Sequence, residues 1–201
     1  MIKNIIFDIG NVLLTFDPEK FILKYTNDTS KVNTFSLNII HSKTWLEMDR
    51  GLISVDNAKI TFLRDYPEIK ELLGLFFENW LDIFMPIEKN IEIMKELKKK
   101  GYKIYALSNF IKETYEFVIK KFDFFSFFDG SIISWKEKVV KPEIEIYTTL
   151  LNRYNLLAEE SVFIDDYSKF LITAENLGMH TILIHPNINL RQEFHKLNIN
   201  I

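Results

Sequence analysis

Asp8, Gly10 and Asn11 stand directly after the apolar run Asn4–Phe7. Ser108 and Asn109 stand after Lys103–Leu107, Lys141 follows Ser131–Ser134 across a loop, and Asp165-Asp166 follow Val162–Ile164. Carboxylates, an ammonium, a hydroxyl and carboxamides are thereby gathered at the ends of successive hydrophobic segments. Three crowded carboxylates repel one another and must take up protons or share a cation. An all-oxygen set of this kind suits Mg²⁺, which keeps several waters and takes one or two carboxylates together with phosphate oxygens. Ser108, the backbone N–H groups at Asn109 and at the start of the next helix, and Lys141 would supply donors to a phosphate beside the metal. A carboxylate aligned behind the phosphorus can attack it and form an acyl phosphate. The chemistry suggested by these residue types is metal-assisted phosphoryl transfer.

The elements that must bring these residues together are legible in the apolar periodicity. The short runs Asn4–Phe7, Lys103–Leu107, Ser131–Ser134, Val162–Ile164 and Thr181–Ile184 read as buried strands. Helical patterns over Ile87–Lys100, Ile111–Lys121, Glu143–Tyr154 and Ser168–Leu177 separate most of them. Gly101 and Gly178 act as stops, and Lys98–Lys100 place cations at a helix C-terminus. Near-continuous apolar strands alternating with helices predict an α/β fold, a parallel sheet covered on both faces. Ligands of such sheets bind beyond the carboxyl ends of the strands, where the polar residues fall.

One connection is far longer than a crossover requires. The helix Ile87–Lys100 already suffices to join the first two strands, so the segment 17–86 is an insertion. It carries helical patterns over Pro18–Tyr25, Asp56–Tyr66 and Ile69–Phe84 and no strand pattern. The expected organisation is an α/β core of residues 1–16 and 87–201 with a helical cap of residues 17–86 over the end of the first strand. The segment Asn187–Ile201 reads as a docked terminal helix.

Composition narrows the functional classes. The 201 residues are 47% hydrophobic and 26% charged, ordinary for a folded globular chain. The net charge of −3 offers no basic field for nucleic acid. Cysteine is absent, which removes disulfides, thiolate metal sites and a cysteine nucleophile. No apolar run is long enough to span a bilayer, and Asp8 interrupts the stretch Ile5–Phe16 that would otherwise imitate a signal-peptide core. A cytoplasmic protein with a small-molecule partner is expected.

The polar clusters resemble the sequence motifs of the haloacid dehalogenase-like (HAD) hydrolases. Phe7-Asp8-Ile9-Gly10-Asn11-Val12-Leu13 resembles the first motif, Leu107-Ser108-Asn109 the second, Lys141-Pro142 with the following helix the third, and Val162-Phe163-Ile164-Asp165-Asp166 the fourth. Asp49-Arg50-Gly51-Leu52-Ile53-Ser54 resembles part of the helical cap of the phosphatase-like branch. The resemblance implies a Rossmann-like, doubly wound core and a Mg²⁺-dependent phosphatase acting on a small phosphate monoester through an aspartyl phosphate. It implies Asp8 as nucleophile, with Asp8, the Gly10 carbonyl and Asp166 holding Mg²⁺ and Asp165 as supporting carboxylate. It further implies Ser108 and the Asn109 backbone on the phosphoryl oxygens, and Lys141 neutralising developing charge.

This sequence departs from the family pattern at Gly10, where most phosphatases of the family have a second Asp that serves as acid and base. Glycine can do neither. Similar Asp-x-Gly sequences occur among sugar-1-phosphate phosphatases, so one expectation is a substrate with a good leaving group, such as a sugar 1-phosphate. The other is a proton donor from the cap, with Glu47, Asp49 and His41 as candidates. Alternatives are a 2-haloacid dehalogenase, for which the paired acids Asp165-Asp166 would have no purpose, and a catalytically silent domain that binds a metabolite or protein. Trp45 is expected between cap helices, and Phe170, at a position often polar in relatives, in loop packing.

Overall fold

The run Asn4–Phe7 is buried along its whole length and forms the central strand β1 of a five-stranded parallel sheet. The structure, a computed structural model, describes residues 1–201. The other strands are β2 (Lys103–Ser108), β3 (Gly130–Ile133), β4 (Ser161–Asp165) and β5 (His180–Leu183), in the order β3-β2-β1-β4-β5. Phe7 is in register with Ala106 on one side and Ile164 on the other. The chain builds outward from β1 to β3 and then returns to lay β4 against the free side of β1. The β1/β4 junction is therefore the switch point at which open α/β sheets form a crevice. Asp8 ends one of these strands and Asp165-Asp166 the other.

Alternation along the strands divides the core. Ile5, Phe7, Ile104, Ala106, Val162 and Ile164 face one layer, which includes Ile91, Met94 and Leu97 of α6 (Glu88–Lys99) and Val118 of α7 (Lys112–Lys121). Ile6, Tyr105, Leu107 and Phe163 face the other, with Ile146, Tyr147 and Leu150 of α9 (Ile144–Tyr154) and Leu171 and Ala174 of α10 (Ser168–Asn176). Period-two burial on both faces explains why the strands are apolar throughout. A short helix, α8 (Ser134–Glu137), follows β3, so Ser134 opens a helix instead of closing a strand.

The segment between β1 and α6 is helical: α1 (Pro18–Ile22), α2 (Thr29–Phe35), α3 (Lys43–Asp49), α4 (Val55–Asp65) and α5 (Lys70–Asn79). Asp17, Asp28, Ser42 and Ser54 cap the first four with side-chain oxygens. These helices enclose a second hydrophobic cluster, including Phe35, Trp45, Phe62, Phe76 and Trp80, to which the core adds Ile111. The expected helix over 69–84 is divided, with 3-10 turns at Pro67–Ile69 and Trp80–Ile83 on either side of α5. Gly74 lies within α5. Helices α2 and α3 were not expected: α2 continues into a π-helical turn at Ser36–Ile40 whose altered period blurs the apolar pattern, and α3 spans only two turns.

The two chain segments that join this helical unit to the sheet run side by side. Thr15 N–H donates to the Met85 carbonyl (2.8 Å) and Ile87 N–H to the Leu13 carbonyl (2.8 Å). The Thr15 hydroxyl donates to the Ile83 carbonyl (2.5 Å). Buried Asn90 of α6 donates from Nδ2 to the Val12 carbonyl (2.7 Å), fastening the exit of β1 to the core. The terminal helix α11 covers Leu190–Lys196 within the expected segment. No helix is long and apolar enough to cross a membrane.

Candidate active site

Lys141 is the centre of the site. It is 2% exposed, and its Nζ lies 2.5 Å from Asp165 Oδ2 and 2.9 Å from Asp8 Oδ1. Burial alone would drive such an ammonium toward its neutral form, but Asp165 and then Asp8 reverse this and hold its pKa well above the ordinary lysine value. The ammonium also rests against aromatic faces, 4.8 Å from the Phe170 centroid and 5.3 Å from that of Phe163. Phe170 thus touches the site chemically, where the sequence suggested only loop packing.

The carboxylates are unequally engaged. Asp165 is fully buried, with Oδ2 on Lys141 and Oδ1 accepting from the Tyr167 N–H (2.8 Å). Its oxygens are committed to holding Lys141 and the loop after β4. Asp166 accepts from Asn11 Nδ2 at 3.1 Å through one oxygen. Asn11 adopts a left-handed conformation (φ 52°), and its Oδ1 accepts from the Phe16 N–H (2.8 Å), which orients the amide. Burial and then Asp8 push the Asp166 carboxyl above its ordinary pKa, against the pull of Asn11. Asp8 Oδ1 is ion-paired with the Lys141 ammonium at 2.9 Å and has no other partner.

These features fit a divalent cation. Ligand oxygens of Asp8, Asp165 and Asp166 all lie within 4.8 Å of one another. Three carboxylates facing one ammonium leave two negative charges uncompensated, the charge of one Mg²⁺. The carboxylate oxygens that Asp8 and Asp166 do not spend on Lys141 and Asn11 are of the hard type that ion prefers. Gly10 lies close by: a Cβ built on it would stand 4.0 Å from Asp8 Oδ2.

The second motif has a role invisible in its sequence. The Asn109 side chain accepts from the Lys141 N–H through Oδ1 (2.8 Å) and donates to the Lys141 carbonyl through Nδ2 (3.1 Å). The amide is spent on the lysine backbone, leaving the Asn109 N–H and the buried Ser108 hydroxyl as groups able to face a phosphate. That hydroxyl has only a long contact, 3.4 Å to the Asn109 carbonyl.

Two recesses adjoin the cluster. A cavity of about 90 Å³ is lined, among others, by Gly10, Phe16 and Asn109 from the sheet side and by Trp45, Asp49 and Trp80 from the helical segment 17–86. A broad open cleft of about 710 Å³ is lined by Asn11, Asp166, His41, Lys89 and His185, among others. Of the cap candidates, Asp49 lies in the first and His41 in the second, while Glu47 faces Lys43 at 3.7 Å. Trp45 packs against Trp80 and Phe76 and also lines the cavity.

The chain is similar to known proteins over almost its whole length. The family described as haloacid dehalogenase-like hydrolase matches residues 5–184. The sesquiterpene phosphatase astK of Aspergillus oryzae is 27% identical over 184 residues, covering 88% of this chain and 87% of that protein. The D-ribitol-5-phosphate phosphatase of Bacteroides thetaiotaomicron is 25% identical over 207 residues, covering 96% and 97%. Among solved structures, a HAD-family enzyme of Bacteroides thetaiotaomicron in complex with magnesium and inorganic phosphate superposes with a TM-score of 0.74 at 21% identity, covering 96% of this chain and all of that one.

Proposed function

This chain belongs to the haloacid dehalogenase-like hydrolases, and we propose that within that family it is a Mg²⁺-dependent phosphatase acting on a small phosphate monoester. The observation that carries the reading is the buried Asp8–Lys141–Asp165 arrangement with Asp166 beside it, short of two positive charges. The phosphatases among its relatives support it. A 2-haloacid dehalogenase would leave that charge deficit without a purpose.

Asp8 is the nucleophile. Lys141, aligned by Asp165 and by the Asn109 amide, fixes its carboxylate and offsets charge gathering on the phosphoryl oxygens. The Ser108 hydroxyl and the Asn109 N–H bind those oxygens. Asp8, the Gly10 carbonyl and Asp166 would hold Mg²⁺, with Asp165 in support and Asn11 orienting Asp166. The ion supplies Lewis-acid charge for the phosphoryl group and the like-charged nucleophile. Residues 17–86 act as a cap over the core of 1–16 and 87–201, excluding water and bulky alcohols from the cavity. The aromatic lining of that cavity favours an alcohol with an apolar face; for a sugar 1-phosphate, whose hydroxyls need polar partners, Asp49 is the polar side chain the cavity offers besides Thr114.

The test is inorganic phosphate release from a panel of sugar 1-phosphates, sugar 6-phosphates and phosphate esters of apolar alcohols, with Mg²⁺, with chelator, and with Asp8→Asn. Turnover that requires both Mg²⁺ and Asp8 is expected. Release from no ester, or release indifferent to chelator, overturns the reading.

A further inference from the structure

Gly10 leaves the first motif without a proton donor, while the cap brings one carboxyl to the same place. Asp49 is the one ionisable side chain lining the small cavity that also contains Gly10 and Asn109, and its other neighbours there include Phe16, Trp45 and Trp80. Its segment is fastened to the core on the stretch leading to Lys141. The Ser134 hydroxyl donates to the Asp49 carbonyl (2.5 Å), and Lys138 Nζ donates to the Gly51 carbonyl (2.6 Å). Arg50 forms a two-toothed ion pair with Glu143. Gly51 holds φ at +64°, in a space where a Cβ would meet the Trp135 carbonyl at 2.8 Å. Consecutive backbone and side-chain contacts thus hold the end of α3 against the core, at a fixed place over the cavity.

We propose that Asp49 is the general acid and base of the reaction, supplied by the cap in place of the side chain that Gly10 lacks. The inference rests on the phosphatase reading and names a catalytic residue for it. As Asp8 bonds to phosphorus and the P–O bond to the alcohol breaks, the Asp49 carboxyl gives its proton to the departing oxygen and becomes a carboxylate. In the second half, that carboxylate takes a proton from the water attacking the aspartyl phosphate. The P–O bond to Asp8 breaks, phosphate leaves and both aspartates return to their starting states.

The surroundings suit the task. Burial pushes the Asp49 carboxyl up to about 7, with Lys141 pulling it down and Asp8 pushing it up. Those are the charged groups acting on it from the core, and the guanidinium of its neighbour Arg50 is turned to Glu143. A group poised near neutrality can both donate and accept.

The experiment compares wild type, Asp49→Asn and Asp49→Glu on p-nitrophenyl phosphate and on an alkyl phosphate, with Mg²⁺. Asp49→Asn is isosteric and leaves the Ser134 contact to its backbone in place. Its kcat/KM is expected to fall about 10²–10³-fold on the alkyl ester and about tenfold or less on the aryl ester, whose alcohol leaves unaided. The alkaline limb of the wild-type pH profile is lost, and p-nitrophenol appears as a stoichiometric burst before slow turnover. Asp49→Glu recovers part of the loss. Equal losses on the two esters, or an unaltered pH profile, overturn the assignment while leaving the phosphatase intact. A wild type inactive on every ester overturns the phosphatase reading instead.

Discussion

The Asn109 amide brackets the Lys141 peptide, accepting its N–H at 2.8 Å and donating to its carbonyl at 3.1 Å. A residue at the end of β2 thereby sets where the ammonium of a distant loop stands relative to Asp8. Asn109→Ala removes both bonds. It is expected to lower stability by about 1–3 kcal/mol and kcat/KM by roughly 10²-fold, as a misplaced catalytic group does. Urea denaturation and steady-state kinetics check the pair of effects. Full activity in the variant would show that the lysine loop needs no such brace.

Lys141→Met tests the buried ion pair. The substitution keeps the volume but leaves Asp165 and Asp8 facing each other without a cation. Removing one partner of a buried pair costs about 3–5 kcal/mol. The loss should be large at pH 8 and smaller at pH 5, where the carboxylates can take up protons. Chelator-treated protein, unfolded in urea at both pH values, provides the measurement.

The acidic cluster predicts a pH-dependent response to Mg²⁺. Asp166 has a folded-state pKa above its unfolded value, so the folded protein binds more protons than the unfolded chain. Its contribution to stability without metal therefore falls as pH rises from the ordinary carboxylate range. A cation must displace those protons, and its stabilisation grows over the same range. The rise in Tm on adding Mg²⁺ should be greater at pH 8 than at pH 5, and it should shrink in Asp8→Asn. A shift independent of pH would separate the ion from these carboxylates.

Gly51→Ala probes the fastening of cap to core. The left-handed backbone and the approach of Lys138 Nζ and the Trp135 carbonyl, at 2.7 and 2.8 Å from the added Cβ, both oppose it. A loss of about 1–3 kcal/mol is expected, with a raised KM and faster proteolysis between residues 50 and 54. Unchanged proteolysis and KM would show that this contact does not hold the cap.

The sequence by itself determined the sheet and the acids upon it. Asp8, Asp165 and Asp166 were legible because a buried parallel strand is a short uninterrupted apolar run, and a polar residue at its end must lie at the sheet edge; Lys141, separated from β3 by a short helix and a loop, was singled out by the proline and helix that follow it. The helical character of 17–86 followed from the same periodicity, though α2, which runs on into a π-helical turn, and α3, two turns long, did not produce it. Other features needed the folded chain. Nothing local to Asn109 says that its amide is spent on Lys141, nothing in Phe170 says that it meets an ammonium, and Glu47, Asp49 and His41 were indistinguishable as cap acids. Tertiary structure sets Asp49 apart from the other two by bringing the end of α3 onto Ser134 and Lys138, more than eighty residues away, beside the cavity that contains Gly10. The physical reason is range: strand and helix patterns record each residue's own burial, whereas an active site closed by a cap depends on which distant surfaces meet.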